Sequence, residues 1–203
     1  SDIDVGKKRT DVNVEAQVRA IGLEAAYVGM AGGRHVARAQ KLVDETNALA
    51  ERSGDPFIRA WALGAGSIVR YLGGDFAEAV EQSGRSETIF VEETTGSAWE
   101  TSTVRIFGSM ALRYAGRYAK LRRLYDEHVP EAERRGDRYT EATLTRVANV
   151  MWLCADVPDV ATEDLKRRAW RPPAGAYHMQ NWYEWRALAE IAHAHELKVH
   201  MDG

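Results

Sequence analysis

The sequence predicts an all-α protein, a right-handed solenoid of antiparallel helix pairs, and three observations carry that prediction. Helix-start signals recur at intervals of about 40 residues, which is the mark of a structural repeat. They fall at Gly54-Asp55-Pro56, Gly96-Ser97-Ala98, Gly136-Asp137-Arg138 and Gly175-Ala176-Tyr177. Second, a further signal divides the repeats, at Gly74-Asp75-Phe76 and Gly116-Arg117-Tyr118; Gly33-Arg34-His35 precedes them by one unit, and Asp156 holds the equivalent slot one unit later. Third, apolar residues between these signals recur at helical spacing, and no segment alternates in period two like a strand.

Each element follows from these signals in order. Residues 1–9 read as a flexible lead-in and 10–203 as one repeat domain. Helices are expected over 11–30 and 34–52. The next spans 56–72: Gly54 ends the preceding helix, Asp55 caps the new one, and Pro56 takes the first helical position, where a missing N–H costs nothing. Its stripe is Phe57, Trp61, Gly64, Ile68 and Tyr71. After a helix over 75–92, Ser97 with Glu100 reads as a capping box opening 98–115, whose stripe is Trp99, Thr103, Ile106, Met110 and Tyr114. Pro130 should kink or split the helix over 117–135. A helix over 138–154 carries Tyr139, Thr143, Val147, Val150 and Cys154 as its stripe, and 158–170 follows. Arg171-Pro172-Pro173-Ala174-Gly175 reads as a loop before a last helix over 177–197. The total is nine helices, four pairs and an unpaired last one.

Composition excludes several classes. The 203 residues are 45% hydrophobic and 28% charged, ordinary for a folded globular chain. No apolar run approaches the roughly 18 residues of a membrane helix, and no signal-peptide pattern opens the sequence. A formal charge of −3 supplies no field that gathers nucleic acid. A single cysteine, Cys154, excludes an internal disulfide and suits a reducing compartment, so the expected location is cytoplasmic.

Leu72-Gly73-Gly74-Asp75-Phe76-Ala77-Glu78-Ala79 is similar to the tetratricopeptide repeat, in which a glycine, an aromatic and a small residue shape the turn into the second helix. The unit here is longer than that family's usual 34 residues. In this it resembles the extended repeats of maltose-regulator-type bacterial activators. Three stretches narrow the resemblance: Thr95-Gly96-Ser97-Ala98-Trp99-Glu100-Thr101-Ser102-Thr103-Val104-Arg105, Arg135-Gly136-Asp137-Arg138-Tyr139-Thr140-Glu141-Ala142-Thr143-Leu144 and Tyr177-His178-Met179-Gln180-Asn181-Trp182-Tyr183. Their order and spacing resemble the C-terminal repeat region of multidomain bacterial serine/threonine protein kinases, over residues 50–197. The resemblance implies a regulatory, partner-binding array of a signalling protein.

The chain itself is not expected to be an enzyme. Phosphoryl transfer needs a glycine-rich loop after a strand, a strand lysine and two aspartates, and none is present as a motif. Gly64-Ala65-Gly66-Ser67 lies inside a helical stripe, where small residues let helices approach. His193 and His195 point apart on a helix and His200 lies beyond it, so no metal or other cofactor is expected. Cys154 reads as a small core residue, and Trp61, Trp99, Trp182 and Trp185 read as core between repeats. The basic clusters Arg113, Arg117, Lys120, Arg122, Arg123 and Lys166, Arg167, Arg168, Arg171 read as solvated faces.

Polar residues off the stripes on the first helix of each pair are the candidate binding set, because first helices line the concave side of such arrays. They are Arg105, Arg146, Asn149, His178, Gln180 and Asn181, with Gln180 and His178 also placed to cap the last helix. The expected partner is a protein or peptide, or another domain of the parent chain, with neither nucleic acid nor membrane involved. The alternative is a small-ligand-sensing domain of a transcription regulator, which requires a closed pocket lined by Trp and Arg. Terminal repeats expose apolar faces, so self-association through an end is also expected.

Overall fold

The computed structural model describes the backbone of residues 2–168 and the side chains of residues 14–168. In chain order the elements are α1 (Asp2–Met30), a 3₁₀ turn (Gly33–His35), α2 (Val36–Ser53), α3 (Pro56–Leu72), α4 (Phe76–Glu93) and α5 (Ala98–Tyr114). They continue with α6 (Tyr118–Arg135), α7 (Arg138–Ala148), α8 (Val150–Cys154) and α9 (Pro158–Arg168). The described residues are all-helical and pack as consecutive pairs, so the fold is an all-α repeat array. The first helices α1, α3, α5 and α7 lie side by side in one layer, and the second helices pack chiefly against that layer.

Local chemistry sets the boundaries. Asp55 accepts hydrogen bonds from the Phe57 and Ile58 amides at 2.7 and 3.3 Å, and Asp137 accepts from Thr140 N at 3.0 Å. The mid-repeat turns at Gly74, Gly116 and Asp156 share one geometry, whereas the first, at Gly33, is a 3₁₀ turn. At Gly116 the amide donates to Arg113 O at 3.2 Å and the next amide, of Arg117, to Leu112 O at 2.9 Å. This is the left-handed helix-ending motif, which glycine enters without steric cost. Asp156 makes the same pair of bonds, to Leu153 O from its own amide and to Trp152 O from Val157 N, and does so at φ 57°.

Two glycines inside the helices, Gly64 and Gly108, serve close approach. A Cβ on Gly64 would lie 2.8 Å from Val104 Cγ1, and one on Gly108 2.6 Å from Ser83 Oγ, so α3 meets α5 and α4 meets α5 at glycine. The core forms three clusters along the array. Val43 and Val69 anchor one; Val18, Ile58, Trp61, Phe90 and Val104 anchor the next. Ile106, Leu121, Val129 and Leu144 anchor the third.

Several expectations are corrected. Helix α1 starts well ahead of residue 11 and takes in the segment read as lead-in. The helix expected over 138–154 is interrupted at Asn149, giving α7 and α8. Pro130 does not split α6, which runs unbroken to Arg135. The Ser97–Glu100 capping box does not form: Ser97 Oγ turns back to Phe90 O, and Glu100 is buried against Arg19 of α1, 2.6 Å away. Cys154 is exposed rather than core, because the buried stripe of this segment runs through Leu144, Val147, Ala148 and Met151. The expected helix over 177–197, with Trp182 and Trp185, lies outside the described residues.

Candidate functional site

Arg105 was expected on an exposed binding face, and the structure places it inside an ionic cluster. It sits at the middle of α5, where α4 and α6 converge on it. Its Nε donates to Glu87 Oε1 at 2.7 Å and its Nη1 to Glu131 Oε2 at 3.3 Å. Buried His128 stands 3.3 Å from Glu87 through Nε2. Burial pushes the Glu87 carboxyl up, but its bonds to His128 and Arg105 outweigh that and hold it below the usual carboxylate range. Arg105 therefore ties three helices together instead of standing exposed.

Asn149 is corrected in the same way. Its Nδ2 donates to Ala161 O at 2.9 Å, which fastens the α7–α8 junction to α9. Beside it, the Tyr125 hydroxyl donates to Asp164 at 2.6 Å, and Arg168 pairs with Asp164 and with Glu133 at 3.5 Å. Burial first, then the bond to Asp164, pushes the Tyr125 hydroxyl well above its ordinary range. This cluster locks α6 to α9. Of the six expected contact residues, Arg146 alone is both described and exposed; among the described residues its Nε donates to its own helix, to Ala142 O at 3.2 Å. His178, Gln180 and Asn181 lie outside the described residues.

The surface around Arg146 is built from residues that sequence reasoning had assigned to the core. Tyr139, Thr143 and Arg146 share one face of α7 by their spacing of four and three residues. Tyr139 is 57% exposed. One repeat earlier, Trp99 occupies the equivalent place on α5 and is 56% exposed, though its ring stacks on buried Trp61 at 5.9 Å. Thr103 and Thr143, one turn on from each aromatic, are half-buried and also equivalent. The pair Trp99 and Tyr139 thus repeats with the array along the first-helix layer. The overlooked signal was Thr143 and Arg146 in the same register as Tyr139, which marks a mixed face rather than a core stripe.

Two clefts lie elsewhere among the described residues, lined by none of Trp99, Tyr139 or Arg146. One of about 200 Å³ opens between α4, α5 and α6, walled by Val80, Val104, Leu112 and Leu124 with Lys120 at its rim. Another of about 400 Å³ lies against α2, α3 and α4 and includes Arg59 and Arg85. Small-molecule sites enclose about 300–1,000 Å³ and bury most of their ligand. The first cleft is smaller than that and the second is open, so neither is the closed Trp- and Arg-lined pocket of a ligand sensor.

Fold and surface together define an all-helical repeat protein with an exposed, repeat-spaced aromatic pair on its first-helix layer. No protein-family model, curated protein or solved structure matches the chain. Among the described residues, no helix is long and apolar enough to cross a membrane.

Proposed function

We propose that this chain is a protein-interaction array that holds a partner peptide across its first-helix layer, along Trp99, Tyr139 and Arg146. The observation that carries the reading is the recurrence of a solvent-exposed aromatic at the same position of two successive repeats. A monomeric array would bury such rings or replace them with polar residues; exposed aromatics beside arginine are the composition of binding hot spots. Rings on adjacent helices about 8–10 Å apart suit an extended peptide reading one side chain per repeat. With Arg146 at the same face, the partner sequence combines apolar or aromatic residues with acidic ones. The array acts by binding and carries out no chemistry. The resemblance of its three motif stretches supports reading it as a cytoplasmic regulatory part of a bacterial signalling protein, such as a serine/threonine kinase.

The test is a peptide library displayed on phage and panned against the folded full chain. Peptides selected by the wild type should bind the triple variant Trp99→Ala, Tyr139→Ala, Arg146→Ala at least about tenfold more weakly. Lys41→Ala on α2 should leave them unchanged. Equal binding to wild type and triple variant would overturn the reading.

A further inference from the structure

The first helix carries a second apolar stripe, opposite the one that packs into the array. Val18, Gly22, Ala25 and Gly29 are buried against the following helices, with Gly22 against Trp61 and Gly29 against Leu72. On the other side lie Ala16, Ala20, Leu23, Tyr27 and Met30, spaced four, three, four and three residues apart. That is the seam spacing of helices that pack lengthwise on one another. Every member is exposed: Leu23 by 54%, Tyr27 by 74% and Met30 by 64%, with Ala16 and Ala20 open as well. The exposed positions of α2 are Arg38, Lys41, Asp44, Glu45 and others that are polar, apart from Ala37 and Ala48, so the large exposed apolar side chains of this helix pair are on α1.

We propose that this stripe is a self-association surface on which α1 of a second copy lies antiparallel. The order of side-chain sizes selects that occupant. The stripe begins with two alanines and continues with large residues. An antiparallel copy in the register that sets Ala16 opposite Tyr27 also sets Ala20 opposite Leu23. By two-fold symmetry Leu23 then meets the second copy's Ala20, and Tyr27 its Ala16, so all four layers pair one small side chain with one large. A parallel copy would stack alanine on alanine and tyrosine on tyrosine, leaving a gap at one end and crowding at the other. Charge agrees with the antiparallel register. On one flank Gln17 meets the second copy's Glu24, which is already paired with Arg38 at 3.1 Å; on the other, Arg19 meets Ala26 and keeps its inward bonds to Glu15 and Glu100. No like charges are brought together. A single helix face is smaller than the roughly 800 Å² per partner of a standard stable interface, so the dimer is a concentration-dependent one.

The experiment is sedimentation equilibrium of the full chain from about 1 to 200 µM, a span chosen around the micromolar affinities of small interfaces. The weight-average mass should rise from one chain toward two. Leu23→Glu with Tyr27→Glu should hold it at one chain across the range, with an unchanged circular dichroism spectrum and melting temperature because both positions are exposed. Orientation is read by cysteine crosslinking in a Cys154→Ser background. A chain carrying Ala20→Cys mixed with one carrying Leu23→Cys should form the mixed disulfide dimer, and Tyr27→Cys alone should not crosslink to itself. A strict monomer at the top concentration, a dimer that survives the double glutamate variant, or a Tyr27→Cys self-crosslink would each overturn the proposal.

Discussion

Replacing Arg105 by methionine separates a structural role from an exposed binding role. The side chain keeps most of its length but loses the guanidinium that joins α4, α5 and α6. Arg105 is 8% exposed and bonds Glu87 at 2.7 Å and Glu131 at 3.3 Å. Removing one member of a buried ion pair costs about 3–5 kcal/mol, because the partner charge is left without compensation. The side chains of Glu87 and Glu131 retain 24% and 34% of their exposure, so water recovers part of that loss. The expected destabilisation is about 2–3 kcal/mol, against about 0.5 kcal/mol for a surface substitution. Urea unfolding of wild type, Arg105→Met, Glu87→Gln and the double variant measures it. The cycle should return a coupling of about 1 kcal/mol or more. A loss within about 0.5 kcal/mol for Arg105→Met would refute the buried-cluster account and return Arg105 to the exposed face.

The same cluster sets a pH dependence. The folded Glu87 carboxyl is held below its ordinary value, so its contribution is fully present above the unfolded value of about 4.3 and is lost as pH falls through the folded one. Urea midpoints should therefore decline below about pH 5, and Glu87→Gln should make that decline shallower; an identical acid profile would contradict the cluster's electrostatics. Asp156→Gly should stabilise the protein by about 0.5–1 kcal/mol, since it relieves the left-handed backbone of the last mid-repeat turn; a lower melting temperature would count against it. Gly108→Ala and Gly84→Ala should have opposite signs. The first drives a methyl into Ser83 and costs about 1–3 kcal/mol. The second meets open space and gains about 0.5–1 kcal/mol of helix propensity.

Turns were legible because their chemistry is local. Asp55 and Asp137 cap the helices they precede, and the repeat spacing alone located Asp156 in a slot elsewhere held by glycine. The phase of the buried face was legible in α3, where Trp61, Gly64 and Ile68 are buried as expected, but not in α5 and α7, where Trp99, Tyr114 and Tyr139 are exposed. Thr101 and Ser109 send their hydroxyls back to Ser97 O and Arg105 O at 2.8 and 2.7 Å, so these two pack in the interior with their hydroxyls satisfied within their own helix. Glu100 is buried because Arg19, in the first helix, reaches it, and no local pattern announces a partner so far along the chain. Arg105 departs from its expected place for the same reason: its partners Glu87 and Glu131 come from two other helices. Trp99 and Tyr139 have apolar spacing, yet nothing in the described array closes over them.

The claim that Trp99 belongs to a binding face is tested most directly by fluorine NMR of the chain labelled with 5-fluorotryptophan. Six tryptophans give six resonances, and single Trp→Phe variants assign those of Trp99, Trp61 and Trp152. On titration with a peptide selected from the library, the Trp99 resonance should shift or broaden to saturation while that of Trp152, packed at the α6–α8 contact, stays in place. A Trp99 resonance that does not move at saturating peptide would contradict the account.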